Sequence, residues 1–216
     1  MPNPARPRPS DASSTDRRYD VETRFLDAAE RLLVEMGYAA ITTRRLAEEA
    51  DTNLGLLHYY FGSMEELFVR VLERFTDRLI ARQRAMYASP LPYIEKWRHA
   101  MRYLDEDRPY QKIWWELQAM AWNRPEFRPR VAAVLASWRD AMRASVAEAI
   151  ARYRLEGTGF STEDWITLIV AANEGIILER LSGIEQGHGA LLSSIDRWLQ
   201  THEDAAQARE RGHAGA

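Results

Sequence analysis

The chain reads as an all-α protein, and three observations carry that reading. Apolar residues recur at helical spacing over nearly all of its 216 residues. Capping residues and turn signals punctuate it at intervals suited to helices. Strand-type alternation is convincing nowhere, and no repeat of fixed period is visible. With 46% hydrophobic and 28% charged residues the chain has enough apolar material for a packed core and an ordinary charged surface. The absence of cysteine excludes disulfides, thiolate metal sites and cysteine nucleophiles. No apolar run reaches the roughly 18 residues that span a bilayer. The N-terminus MPNPARPRPSDASSTDRR lacks the apolar centre of a signal peptide. A cytoplasmic location without membrane partners is therefore expected.

Residues 1–18 set Arg6, Arg8, Arg17 and Arg18 against Asp11 and Asp16 in a Pro- and Ser-rich context, which predicts a disordered, slightly basic arm. The first helix is predicted from Val21 to Met36. Phe25, Leu26, Ala28, Ala29, Leu32 and Leu33 form one apolar face there, and Gly37 follows as a C-terminal cap. Thr42 or Thr43 caps a short second helix that ends near Ala50, with Ile41 and Leu46 spaced as a hydrophobic staple. Asn53 caps a third helix reaching Tyr60 or Phe61. Ser63 and Glu66 form a capping box that opens a long helix to about Tyr87.

Ser89-Pro90-Leu91-Pro92 breaks the pattern, and further helices are predicted at about 91–105, 109–122, 125–154, 162–182 and 188–201. Gly157 and Gly159 end one of them, and Ser161 with Asp164 starts the next, Phe160 and Trp165 serving as its staple. The expected organisation is an arm at 1–18, a first domain at 19–66, a second at 67–203, and a flexible tail at 204–216.

Helix, short helix, tight turn and short helix within about 40 residues is the layout of a helix-turn-helix unit with a supporting first helix. In such a unit the last short helix enters the major groove of double-stranded DNA. The stretch ITTRRLAEEADTNLGLLHYYFGSMEELF, Ile41 to Phe68, together with the preceding FLDAAERLLVEMGY, resembles the DNA-binding signature of the TetR family of bacterial repressors. The resemblance implies an N-terminal three-helix DNA-binding domain. A long helix joins it to an α-helical domain for ligand binding and dimerisation.

Carried over to this sequence, the resemblance places Thr42 and Thr43 where backbone N–H groups and hydroxyls hold phosphate. Arg44 reaches a base, with guanine as its bidentate partner. Arg45 makes the phosphate side more basic. Leu54, Gly55 and Leu56 occupy the exposed first turn of the recognition helix. His58 and Tyr59 meet phosphate or a base edge, and Tyr60 either does the same or packs. Leu57 and Phe61 face the core. Three departures stand out: Leu54 and Leu56 replace polar readers and would contact thymine methyls, and Met64 replaces a lysine, removing one phosphate charge.

The second domain holds all seven tryptophans of the chain. Trp97, Met101, Trp115, Met120, Trp138, Met142 and Asn173 are candidates for lining a ligand cavity, against the alternative that each simply fills core. Glu116 and Glu174 are its possible polar anchors, and Glu174 would favour a cationic ligand. The helix from Thr162 is apolar nearly all round, which predicts a second buried face. Ile166, Ile169, Val170, Ile176 and Ile177, with Leu191, Ile195 and Trp198 from the last helix, are the expected contacts of a two-fold homodimer.

The predicted function is a homodimeric transcriptional regulator, a repressor released from a palindromic operator by a small apolar or aromatic effector, cationic if Glu174 anchors it. No metal or cofactor is expected. The sequence has no HExxH, P-loop, Rossmann or triad pattern, so an enzyme is not expected. The alternative is a protein–protein adaptor that kept the fold but lost DNA binding. It draws on eight acids against four arginines between Asp20 and Phe61.

Overall fold

The computed structural model describes residues 11–214, and among them there are α-helices and short 3-10 turns but no strand. They form two compact units divided between Leu72 and Glu73. The division falls inside the long helix.

The first unit contains α1 (Asp11–Met36), α2 (Thr43–Glu49), α3 (Leu54–Phe61) and the beginning of α4 (Met64–Tyr87). Helix α1 begins ten residues before the predicted Val21. No proline or glycine occurs between Pro9 and Gly37, so nothing stops the helix from extending back through that half of the expected arm. The other half, residues 1–10, lies outside the described residues. The apolar face of α1 is buried as its spacing requires: Phe25, Ala28, Ala29, Leu32 and Leu33 are buried, as are Leu46 of α2 and Leu57 and Phe61 of α3. Phe25 meets Phe61 edge to face at 5.9 Å, and Tyr38 meets Phe68 likewise at 5.0 Å. Arg31 to Glu49 at 3.0 Å ties α1 to α2.

The second unit contains the rest of α4, α5 (Tyr93–Glu106), α6 (Arg108–Asn123), α7 (Arg128–Tyr153), α8 (Thr162–Leu181) and α9 (His188–Ala214). Helix α7 packs on α8 and α9, and α5 closes against α9. Ser161 and Asp164 form the capping box of α8, and Phe160 packs edge to face on Trp165 at 5.4 Å. Helix α7 stops at Arg154, which takes the left-handed conformation at φ 58°, ahead of the glycines expected to end it.

The expected flexible tail at 204–216 is instead the last three turns of α9 as far as Ala214; residues 215–216 lie outside the described residues. Contacts distant in sequence hold it. Arg152 grips the buried Glu203 with two hydrogen bonds of 2.7 and 3.0 Å and also pairs with Glu210. Tyr153 and Gln207 each donate to Glu203 at 3.0 Å, and Arg209 donates to the Arg152 carbonyl at 2.8 Å. The Arg152 guanidinium holds the Glu203 carboxyl below its usual range. A depressed carboxylate contributes stability above its unfolded pKa of about 4.3 and loses it as pH falls through the lower folded value. Arg152→Met is therefore expected to cost about 1–3 kcal/mol at pH 7. In urea melts at a series of pH values, the gap from the parent protein should shrink below about pH 4.

Candidate nucleic-acid interface and ligand cavity

The turn between α2 and α3 is built from side chains of defined role. Thr42 caps α2, its Oγ1 accepting from the Arg45 N–H at 3.2 Å. Asp51 takes a left-handed conformation at φ 49°, which Asp tolerates better than most residues. Arg24 of α1 clamps this residue through both its carbonyl and its carboxylate, the latter at 2.8 Å. Asn53 caps α3 by accepting from the Gly55 N–H at 2.8 Å. Gly62, at φ 75°, ends α3 with its N–H on the His58 carbonyl at 3.0 Å.

This frame divides α3 by face. Leu57 and Phe61 are buried, while Leu54 is 44% and Tyr59 is 74% exposed. Gly55 and His58 share the open side; Leu56 and Tyr60 are half-buried. Tyr60 packs edge to face against Tyr59 at 5.0 Å and lies 5.8 Å from the Arg18 guanidinium, so it is placed to support Tyr59. The His58 Nδ1 lies 3.2 Å from the Gly62 carbonyl, which can only accept, so Nδ1 donates to it and Nε2 faces away from that contact. From α2, Arg44 and Arg45 are exposed and Thr43 is half-buried. Arg44 pairs with Glu48 at 2.9 Å across a fully wetted surface, a contact of about 0.5 kcal/mol that it can exchange for a stronger partner. Met64 opens α4 and is half-buried.

At least half of the eight acids counted in this unit are ion-paired within it. Glu22, Glu48, Glu49 and Asp51 are ion-paired to Arg18 and Arg70, Arg44, Arg31 and Arg24.

In the second unit a cavity of about 120 Å³ lies among α4 to α8. Of the residues predicted to line it, Trp138, Met142, Asn173 and Glu174 do. Trp115, Glu116 and Met120 do not: Met120 is buried core, Glu116 pairs with Lys112 at 3.9 Å, and it is Trp114, one residue earlier, that turns inward. Trp114, Tyr87, Gln83, Gln111 and Asp107 are lining residues outside the expected set: the long helix α4 is read there as a link between domains, and on α6 the neighbouring face is chosen. Glu174 accepts from the Trp114 indole N–H at 3.2 Å, and burial pushes its carboxyl up from the usual range. Trp97 and Met101 line a second, more open apolar groove of about 390 Å³ among α5, α7, α8 and α9, which also meets Asn173.

The expected dimer contacts are redistributed. Ile166, Ile176 and Ile177 are buried within the unit, and Ile169, Val170 and Ile195 are half-buried. An all-apolar helix gives no periodic clue to its outer face, and the expected set took in both faces of α8. The outer stripe consists of Leu168, Ala171, Gly175 and Leu178, alongside exposed Leu191 and Trp198 of α9. Trp198 stacks on Trp165 at 6.3 Å. A Cβ added to Gly175 would meet nothing within 4 Å.

The family model of bacterial regulatory proteins, tetR family, matches residues 25–71, the segment that builds α2, α3 and their supports. The chain is 34% identical over 83 residues to the transcriptional repressor KstR2 of Rhodococcus jostii, covering 38% of this chain and 41% of that one. It is 39% identical over 71 residues to the repressor KstR of Mycolicibacterium smegmatis, 32% of this chain and 35% of the relative. These matches span less than half the length of either curated relative. Solved structures match more of the fold. A TetR-family member of Streptomyces coelicolor, SCO1917, aligns with a TM-score of 0.60 at 25% identity over 83% of this chain and 97% of that one. A TetR transcription regulator of Haloarcula marismortui aligns with a TM-score of 0.65 at 18% identity over 87% and 98%. Residues 25–71 therefore carry the DNA-binding domain of the tetR family of bacterial regulatory proteins, and the helical fold of the chain is shared with solved TetR-family structures.

Proposed function

We propose that the protein is a homodimeric repressor that binds a palindromic operator and is released from it by a small molecule. The observation that carries this reading is the open face of α3. Leu54, Gly55, His58 and Tyr59 stand exposed over a sealed core, beside Arg44 and Arg45. Leucines at base-contacting positions suit apolar contact with thymine methyls, and Arg44 suits guanine. Thr42 and Thr43 at the start of α2 suit phosphate. The repressor names of the matched relatives support the sign of regulation. Arg24–Asp51 and Arg31–Glu49 engage two of the acids in joining α1 to the α2–α3 turn and to α2, which argues against the adaptor alternative.

The outer stripe of α8 and α9 supports dimerisation. A glycine inside an exposed helix costs about 0.5–1 kcal/mol relative to alanine. Among the described residues nothing crowds Gly175. Close approach of a second copy gives that glycine a purpose. Two recognition helices about 34–36 Å apart would then read successive major grooves. Helix α4 begins beside the recognition helix and lends Phe75, Leu79 and Tyr87 to the cavity. A ligand that shifts α4 would change the spacing, with a coupling of about 1–3 kcal/mol between the two sites.

Mobility shift with DNA from upstream of the protein's own gene tests the reading. Binding is expected to weaken linearly on a log–log plot against salt. Met64→Lys should steepen the slope by about one for each added phosphate contact. Absence of any salt-sensitive shift would contradict the proposal.

A further inference from the structure

The cavity among α4 to α8 has an unbalanced charge. Among the described residues that line it there is no Lys, Arg or His, but there are two carboxylates. Asp107 is answered by the Arg82 guanidinium, which also stacks over the Tyr103 ring at 4.0 Å. Glu174 is different. It is half-buried, accepts one hydrogen bond from Trp114 at 3.2 Å, and has no cation beside it. A carboxylate in such a place is under-solvated, and either a proton or a bound cation relieves it. The walls around it are aromatic: Trp114, Trp138, Tyr87, Tyr110 and Phe75, the last two 5.4 Å apart. Aromatic faces attract cations and apolar rings alike. A volume of about 120 Å³ admits a single ring with a short arm.

We infer that the effector is a one-ring organic amine bound as a monocation, its ammonium on the free oxygen of Glu174 and its ring among the cavity tryptophans. The inference rests on the reading of this cavity as the effector site and adds the charge and size class of what enters. A carboxylic acid or other anion of the same size is excluded, because it would bring a second negative charge beside Glu174 with no basic residue lining the wall.

Three probes of one size separate the possibilities: benzylammonium, benzyl alcohol and benzoate, titrated calorimetrically into the full chain at pH 7. Benzylammonium is expected to bind at least about tenfold more tightly than benzyl alcohol, as hydrogen bonds to a charged group exceed neutral ones by that order. Benzoate is expected to bind most weakly. Glu174→Gln keeps the shape and the acceptor for Trp114. It should lower benzylammonium affinity at least about tenfold and leave benzyl alcohol within about threefold. Equal melting temperatures for parent and variant would exclude a folding defect; if Glu174→Gln is destabilised, the ranking of the three probes on the parent chain decides alone. If none of the probes binds, the effector-site reading falls together with the inference. If benzyl alcohol or benzoate binds as tightly as benzylammonium, the cavity stands but its cation preference is refuted. A benzylammonium preference that survives Glu174→Gln would place the cation elsewhere and overturn the assignment.

Discussion

Arg44→Ala is expected to remove operator binding while leaving the folded protein intact. A bidentate contact from arginine to guanine discriminates by about 1–3 kcal/mol. A two-fold dimer loses two of them, so operator affinity should fall by about 2–6 kcal/mol. Among the described residues, the Arg44 side chain is paired with Glu48 across exposed surface. Its loss should change unfolding free energy by less than about 0.5 kcal/mol. Mobility shift measures the first effect and urea denaturation the second. An unchanged shift would remove Arg44 from the interface, and a large loss of stability would mean that its role is structural.

The second large effect is expected from the pair Leu168→Glu and Leu191→Glu. Both side chains are about half exposed in the single chain, at 53% and 47%, so charging them should cost the fold little. If α8 and α9 meet their own copies, each charge faces a like charge or an apolar surface across the two-fold axis, and the dimer should dissociate. Operator binding should then drop by more than about a hundredfold, because each half-site must be held alone. Sedimentation velocity reads the assembly directly. A double variant that still sediments as a dimer would move the interface off this stripe.

How far such details are legible in the sequence depends on whether they are local. The caps are local, and Thr42, Asn53, Ser63 and Ser161 each serve the helix expected of them. The division of α3 is legible too, because Leu57 and Phe61 are four residues apart and Tyr59 lies between them. Adjacent tryptophans are harder. Trp114 and Trp115 differ by about 100° around α6. Which of the two faces the cavity is decided by Glu174, 60 residues from Trp114, through the indole hydrogen bond. Helix α8 fails for a related reason: isoleucines and leucines surround it, so burial of Ile166 and exposure of Leu168 follow only from where α7 lies. The last turns of α9 look polar and unsupported until Arg152, 51 residues from Glu203, arrives to hold them. Each difference traces to a partner distant in sequence.

The central claim is that the open face of α3, presented twice, reads DNA. Selection of bound sequences from a random duplex pool by the full-length protein tests it most directly. An enriched palindrome is expected, its half-sites about one helical turn apart, with thymines at positions facing Leu54 or Leu56 and a guanine facing Arg44. A pool that shows no enrichment even at low salt, where phosphate contacts are strongest, would contradict it.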